Sequence, residues 1–566
     1  MAGSHSHTDT LIVPSNATGK VLQLTEGLSF WGGTDPKTGK IIDAHHPQAG
    51  CSLAGRIVLM PTTRGSCSGS GGLLELALNG VAPAALIFNE PEDIVTIGAF
   101  VATQMFNLPV AVIRLGERSY AKIACADEVT LSDQTLYAEG TAFELRRLSV
   151  DGLNLSQSDR DILDGKNGTP SQVAMQMIQT IAAVQGADEL TDVTCVHIDG
   201  CIYGGGANLG FAEKMADTGA QVCVPTTMNA ISVDHGNWRE QDVPRNFGKP
   251  AQRLADAYLR MGAKPTFTCA PYFSADAPQQ GEPIGWSESN AVIYANSVLG
   301  ARTAKHPDYF DLFVALTGRA PKSGVYLEAH RRPSIILDVS LPDMFDDAIW
   351  PLMGWLVGQA SPAQVPLVCG LEKADLSKDD LRAICAAFGT TSGAPMLHIA
   401  GVTPEADLPP LDGSERKPIG IEDLQRAWRA FNTGSEDVDL IALGSPHFSL
   451  DETRKFCELM GRATCHDGVQ AIVTLGRETL KHAQAEGLIK QLEASRVRVL
   501  PDVCWCSITE PLFPSETKTV MTNSGKYAHY EPGLHGRSIR FGGLAACAQT
   551  AQTGISANVL PDWLVR

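Results

Sequence analysis

Positive charge is scarce in this chain. Its 566 residues include 45 lysines and arginines against 63 aspartates and glutamates, a formal net charge of -18. Such a surface argues against nucleic-acid binding as the main activity, because phosphate contact needs basic patches. An anionic substrate must instead meet a locally placed Arg or Lys. Long apolar runs are missing too. No stretch approaches the roughly 20 residues of a membrane-spanning helix, and MAGSHSHTDT lacks the basic and apolar regions of a secretory leader, so the cytoplasm is the expected location. Neither a repeat of fixed period nor a low-complexity tract occurs, which excludes a solenoid.

What is present is ordinary for an α/β enzyme: 44% hydrophobic residues, 54 glycines and 33 prolines. The length exceeds what one hydrophobic core serves, so two to four domains are expected. Fourteen cysteines are many. In a large cytosolic protein they are not expected to pair as disulfides; most should be small buried hydrophobes, and only position singles out metal ligands.

Between about Val21 and Val129 short apolar stretches alternate with Gly/Pro turns: SLAGRIVLMP, a Gly/Ser-rich turn, LLELALNG, APAALIFN and LPVAVI. This reads as alternating strands and helices in a compact α/β unit with strands buried on both faces. The stretch EGTAFELRRLSVDGLNLSQSDRDILDG is more polar and helix-prone, placing a boundary near Ser149 between residues 1–148 and 149–566. A second α/β region opens at VTCVHIDG, and further strands are read in PSIILDVSL, QVPLVCGL, PMLHIAGV, VDLIALGS, AIVTLG and VRVLPDV.

The turn PTTRGSCSGSGG, residues 61–72, joins a strand to a helix and offers backbone N–H groups and the hydroxyls of Ser66, Ser68 and Ser70 at the helix N-terminus, an anion cradle. It lacks the Gly-Lys-Ser/Thr ending of a phosphate loop and the setting of a nucleophile elbow. Arg64 tilts it towards a carboxylate, which a guanidinium grips in two places. The glycine run GCIYGGGANLG, residues 200–210, does not fit dinucleotide spacing, and close backbone approach explains it better.

Residues 264–303 gather Glu288, Ser289, Asn290, Asn296, Ser297 and Arg302 around apolar anchors downstream of Cys269, with no evident helical or strand face. PDVCWCSITEP supplies Cys504 and Cys506, and NSGKYAHY supplies Lys526 and His529. This fits no zinc-finger spacing, but a cluster assembled from distant loops is open to it, since thiolates are the usual ligands of iron–sulfur centres.

The ordered set GTDPKTGKIIDAHHP, PTTRGSCSGSGGLLELALNG, HIDGCIYGGGANLGF, VPTTMNA, TCAPYF, SESNAVIYANSVLGART and NSGKYAHY resembles the aconitase X family across nearly the whole chain. The resemblance implies an aconitase-like α/β fold: a small swivelling β/α domain over residues 1–148, then a large catalytic region of several α/β/α units over 149–566. It implies a dehydratase using an iron–sulfur cluster and a serine base, and, for a fused chain with the small domain first, activity on cis-3-hydroxy-L-proline. Two-subunit archaeal members are mevalonate 5-phosphate dehydratases, the alternative substrate. Cys269 and Cys504 map onto family cysteines. Ser445 stands where two-subunit members typically carry another, so Cys506 is taken as third ligand and a 2Fe–2S cluster is expected.

The roles implied are Ser66 or Ser68 as base, with Arg64 beside it, and Arg302 or Lys526 as carboxylate grip. Gly205, Asn229, Ser289, Asn296 and Ser297 complete the substrate contacts. The substrate is a small hydroxy or amino acid, and no nucleic acid, membrane or obligate partner subunit is expected. Readings from other classes are a non-catalytic iron–sulfur sensor and a cluster-free hydrolase built on the serine turn.

Overall fold

The computed structural model describes residues 9–43, 46–506, 512–534 and 536–565. The start MAGSHSHT, where no leader was expected, Ala44 and His45 of the GTDPKTGKIIDAHHP motif, and SITEP after Cys506 lie outside the described residues. The chain forms two compact units. The first comprises Met1–Val193, Gly205–Val224 and His306–Gly324; the second comprises Thr194–Gly204, Pro225–Lys305 and Val325–Arg566.

The first unit is built on a nine-stranded sheet. Its centre is parallel, running Ala17–Gln23, Ile57–Leu59, Ala85–Phe88, Ala111–Arg114. Ile57–Leu59 and Ala85–Phe88 are buried throughout, as strands covered on both faces must be. Towards one edge the pairing turns antiparallel, and Glu128–Ser132 alternates exposed and buried positions.

EGTAFELRR corrects the helix-prone reading of its segment. Thr141–Glu144 pairs with Thr135–Ala138, and Arg146–Arg147 with Thr10–Val13, so helix begins only at Gln157, behind a Ser156 capping box. The cause is non-local pairing overriding local polarity. Ser149 falls between these elements, and the unit runs on to Val193. Leu190–Asp192 pairs with Arg319–Pro321, and helix Thr169–Gln185 packs on Phe310–Thr317.

The second unit holds three parallel sheets of three, four and five strands. The five-stranded sheet orders Val497–Pro501, Gln470–Leu475, Leu440–Phe448, Thr519–Thr522, Ser538–Phe541, and the apolar runs read as strands lie in it and in its four-stranded neighbour. Capping boxes at Ser377 and Ser449 start helices Lys378–Thr391 and Leu450–Met460. Residues 289–299, read without a face, form helix Ser289–Tyr294 continuing as a π-helical turn through Leu299. Glu288 caps it by accepting from the Ala291 N–H at 3.0 Å. All fourteen cysteines are free thiols, and most are buried. Cys269, Cys504 and Cys506 belong to the main core of this unit.

Candidate active site

In the first unit the serine turn leads into helix Gly69–Leu78, which has no acidic side chain in its first turn to neutralise its positive end. Gly65 turns the chain at φ 89°, and a Cβ there would stand 2.6 Å from the Ser29 hydroxyl, so glycine is required. Beyond it the Ser68 amide donates to Ser66 Oγ at 3.2 Å, and the two hydroxyls are 3.3 Å apart. Ser70 is buried and spends its hydroxyl on the Ile94 carbonyl at 2.6 Å. Arg64 is already gripped by two carboxylates of the same unit, Glu26 and Asp43, each at 3.0 Å. Thr63 is tied to buried Glu92 at 2.7 Å, and the Cys67 carbonyl accepts from the Asp308 N–H. At the glycine run, Ala207 N–H donates to Glu75 at 2.8 Å, and a Cβ on Gly205 would meet the same carboxylate. The close approach at Gly205 is therefore to its own chain.

In the second unit the thiols of Cys269 and Cys504 are in hydrogen-bond contact. Burial, then the neighbouring Cys504, pushes the Cys269 thiol well up. Cys506 adjoins Cys504 and is pushed up to about 12 by burial and that neighbour, against the pull of Lys526 and Ser445. Among the described residues no three His, Cys, Asp or Glu side chains close on one point as a finished ion site; the thiols meet pairwise. Their chemistry nonetheless suits a thiolate-bound cluster. The buried thiols of Cys269 and Cys506 resist ionisation chiefly because burial disfavours the charged form, and the positive charge of a bound metal centre would offset that cost.

Lys526 pairs with Glu288 at 2.9 Å. Burial opposes its charge, but Glu288, Cys506 and Cys504 hold the ammonium well above the ordinary lysine range. Ser445 stands beside Cys506, and its carbonyl accepts the Ser524 hydroxyl at 2.6 Å. The preceding Gly444 has φ 95° and no room for a Cβ, which would sit 2.2 Å from the Thr474 carbonyl. A cavity of about 350 Å³ is lined by Ser445, Asn523, Ser524, Lys526, Arg382 and Lys455, roomy enough for a small acid. A larger one, about 820 Å³, borders Thr268 and Ala270 on either side of Cys269.

The remaining substrate candidates are dispersed. Asn296 is saturated: its amide donates to the Thr303 and Pro395 carbonyls at 2.8 and 2.9 Å, while its oxygen accepts from Thr303 N–H and Arg331. Ser297 accepts from Leu397 N–H at 3.0 Å. Asn229 is bound to Asp199 and to the Ala230 N–H. Arg302 donates to the Tyr326 carbonyl at 3.1 Å and lies 3.7 Å from Glu405. Ser289 is the first residue of its helix.

Sequence reasoning missed the groups around the thiols. His447 donates its N–H to Cys269 Sγ at 3.2 Å, and Arg382 donates to the His447 carbonyl at 2.6 Å while pairing with Glu452 at 2.5 Å. The indole of Trp505, buried between Cys504 and Cys506, donates to the Leu443 carbonyl at 2.9 Å. Only the position of Trp505 inside the Cys-x-Cys pair was a signal that sequence offered.

Comparison with known proteins identifies the family. Four family patterns tile the chain: the aconitase X swivel domain over residues 6–139, first domain over 152–329, second over 333–429 and third over 438–553. A cis-3-hydroxy-L-proline dehydratase of Pseudomonas aeruginosa is 44% identical over 100% of this chain and 99% of its own length; one from Hypocrea jecorina is 43% identical over 98% and 96%. The phosphomevalonate dehydratase large subunit of Methanocaldococcus jannaschii is 31% identical over 69% of this chain and 97% of its own. The crystal structure of Thermococcus kodakaraensis aconitase X in its holo-form matches 70% of this chain and all of that one, with a TM-score of 0.63 at 28% identity. Among the described residues no helix is long and apolar enough to cross a membrane. End-to-end similarity to dehydratases and the complete set of domains establish that this chain belongs to the aconitase X family and is a hydro-lyase with the swivel domain and large region on one polypeptide.

Proposed function

We propose that this chain dehydrates cis-3-hydroxy-L-proline to Δ1-pyrroline-2-carboxylate, working in the cytoplasm with residues 1–148 as swivelling domain and 149–566 as catalytic region. The observation that carries the substrate is the 44% identity, over both full lengths, to a protein of that name. Cys269, Cys504 and Cys506 would hold the iron–sulfur cluster, with 2Fe–2S as the nuclearity suited to three thiols and a serine at position 445. When bound, the cluster supplies a Lewis acid to polarise the C3 hydroxyl.

The chain's own groups do the rest. Ser66 is the better placed of the two serines to act as base, since the Ser68 amide and the positive end of helix Gly69–Leu78 stabilise negative charge on its Oγ. It takes the C2 proton as the C3–O bond breaks; that proton is returned to the departing hydroxide, which leaves as water, and the enamine tautomerises to the imine. Lys526, kept charged by Glu288, is favoured over Arg302 as carboxylate grip, because it lies beside the thiols. Arg64, bound to Glu26 and Asp43, fixes the turn and leaves the grip to Lys526.

The test is anaerobic purification, the visible spectrum, and assay with cis-3-hydroxy-L-proline beside mevalonate 5-phosphate. Ser66→Ala is expected to lose about 10²- to 10⁴-fold in turnover. Full turnover by both Ser66→Ala and Ser68→Ala removes the serine base, and preference for the phosphorylated substrate overturns the hydroxyproline assignment.

A further inference from the structure

His447 lies on strand Leu440–Phe448, all nine residues of which are buried. Three of its bonds converge on the thiol-bearing loops. Its peptide N–H donates to Cys269 Sγ at 3.2 Å. Its ring Nε2 is 2.9 Å from the Val503 carbonyl. A carbonyl only accepts, so Nε2 carries the proton, and Nδ1, 3.3 Å from Thr268 Oγ1, accepts that hydroxyl. Thr268 and Val503 immediately precede Cys269 and Cys504. One imidazole thus bridges two loops that the sequence holds far apart.

The bridge is anchored from behind. Arg382, buried, donates to the His447 carbonyl at 2.6 Å, and its guanidinium is fixed by Glu452 at 2.5 Å. The residue that offers its N–H to the Cys269 sulfur is therefore held at its own carbonyl and by its strand. The loops beyond Thr268 and Val503 have no sheet of their own at the cysteines. Loops located only by side chains acquire their geometry from whatever rigid element those side chains reach.

We infer that His447 is a positioning residue that sets Cys269 against Cys504 before any metal binds, and that its N–H is a fixed donor to the Cys269 sulfur. The inference rests on the ligand role proposed for those two cysteines, and its test is arranged to stand apart from that role.

The apo protein, stripped with a chelator, is treated with diamide, which takes the two thiol hydrogens and is reduced to the hydrazine as one S–S bond forms; peptide mapping locates the bond. The wild-type chain is expected to join Cys269 to Cys504. His447→Ala and Thr268→Val are expected to lose that product while keeping a cooperative melting curve. His447→Gln, which retains a donor for the Val503 carbonyl, recovers part of it. After anaerobic reconstitution the first two variants should hold iron about 10- to 100-fold more weakly, with shifted visible bands.

Variants that melt like wild type and also cross-link like wild type overturn the inference. Should His447→Ala fail to fold, Thr268→Val decides by the same readout. A wild-type chain that forms the disulfide but binds no iron sinks the cluster proposal and leaves the role of His447 standing.

Discussion

Lys526 and Glu288 form an ion pair at 2.9 Å in which the two side chains are only 18% and 6% exposed. The pair is asymmetric. Glu288 also accepts from the Ala291 N–H and from the Asn290 amide, so its carboxylate stays partnered without the lysine. Glu288→Gln, which leaves a buried ammonium without its counter-charge, is expected to cost about 3–5 kcal/mol, and Lys526→Met clearly less. Urea unfolding of the two variants checks the order; equal costs would mean that the helix-cap bonds contribute nothing. Because the folded lysine is held above its ordinary value, the pair's contribution is complete at neutral pH and is lost only as pH rises through that raised value.

The Asn296 side chain makes four hydrogen bonds inside the protein and has no capacity left for a ligand. Asn296→Ala strands the Thr303 N–H and carbonyl partners in a buried site and is expected to destabilise by about 2–4 kcal/mol. Chemical denaturation measures the loss. The folded fraction should show an unchanged KM, and a raised KM at full stability would restore the asparagine to the substrate.

Burial, with Asp93 beside it, lifts Glu92 to about 7. An acid whose folded value is raised takes up a proton on folding, so the wild type loses stability as pH climbs from the ordinary carboxylate value towards 7. Glu92→Gln does not titrate there. Between pH 4.5 and pH 8 stability should shift in favour of the variant, relative to wild type, by about 3 kcal/mol at full extent. Unfolding midpoints across that range read the difference, and parallel profiles for the two proteins would contradict it. Since Glu92 accepts from Thr63, the same variant reports on how firmly the serine turn is held.

Ser445→Cys places a fourth thiol beside Cys506. With Cys269, Cys504 and Cys506 holding the cluster as proposed, a further thiolate would occupy coordination left for substrate, so iron retention after anaerobic reconstitution should rise while turnover falls by about 10-fold or more. Iron analysis alongside the assay checks both. Unchanged iron content and turnover would place Ser445 outside the ligand sphere.

The α/β class was legible in the sequence, because strands buried on both faces must be written as short apolar runs: Ile57–Leu59, Ala85–Phe88 and Leu440–Phe448 all were. The serine turn was legible for a related reason, since a strand, a glycine-rich turn and a helix start are encoded by neighbours in the chain. EGTAFELRR was misread because its strands are fixed by partners elsewhere in the sheet. What only the tertiary structure decided was the use of each polar group. Cys269 and Cys504 were singled out by the family resemblance, but that their thiols meet, through loops separated by most of the second unit, follows from no local spacing or periodicity. Asn296 and Arg302, which local composition offered to a ligand, were spent on Thr303, Pro395 and Tyr326. His447, in an apolar strand, reads locally as one more core residue. Local sequence sets backbone conformation through sterics and burial, whereas a side chain's hydrogen-bond partner depends on which distant segment folding brings within 3 Å, and that is decided by the packing of the whole unit.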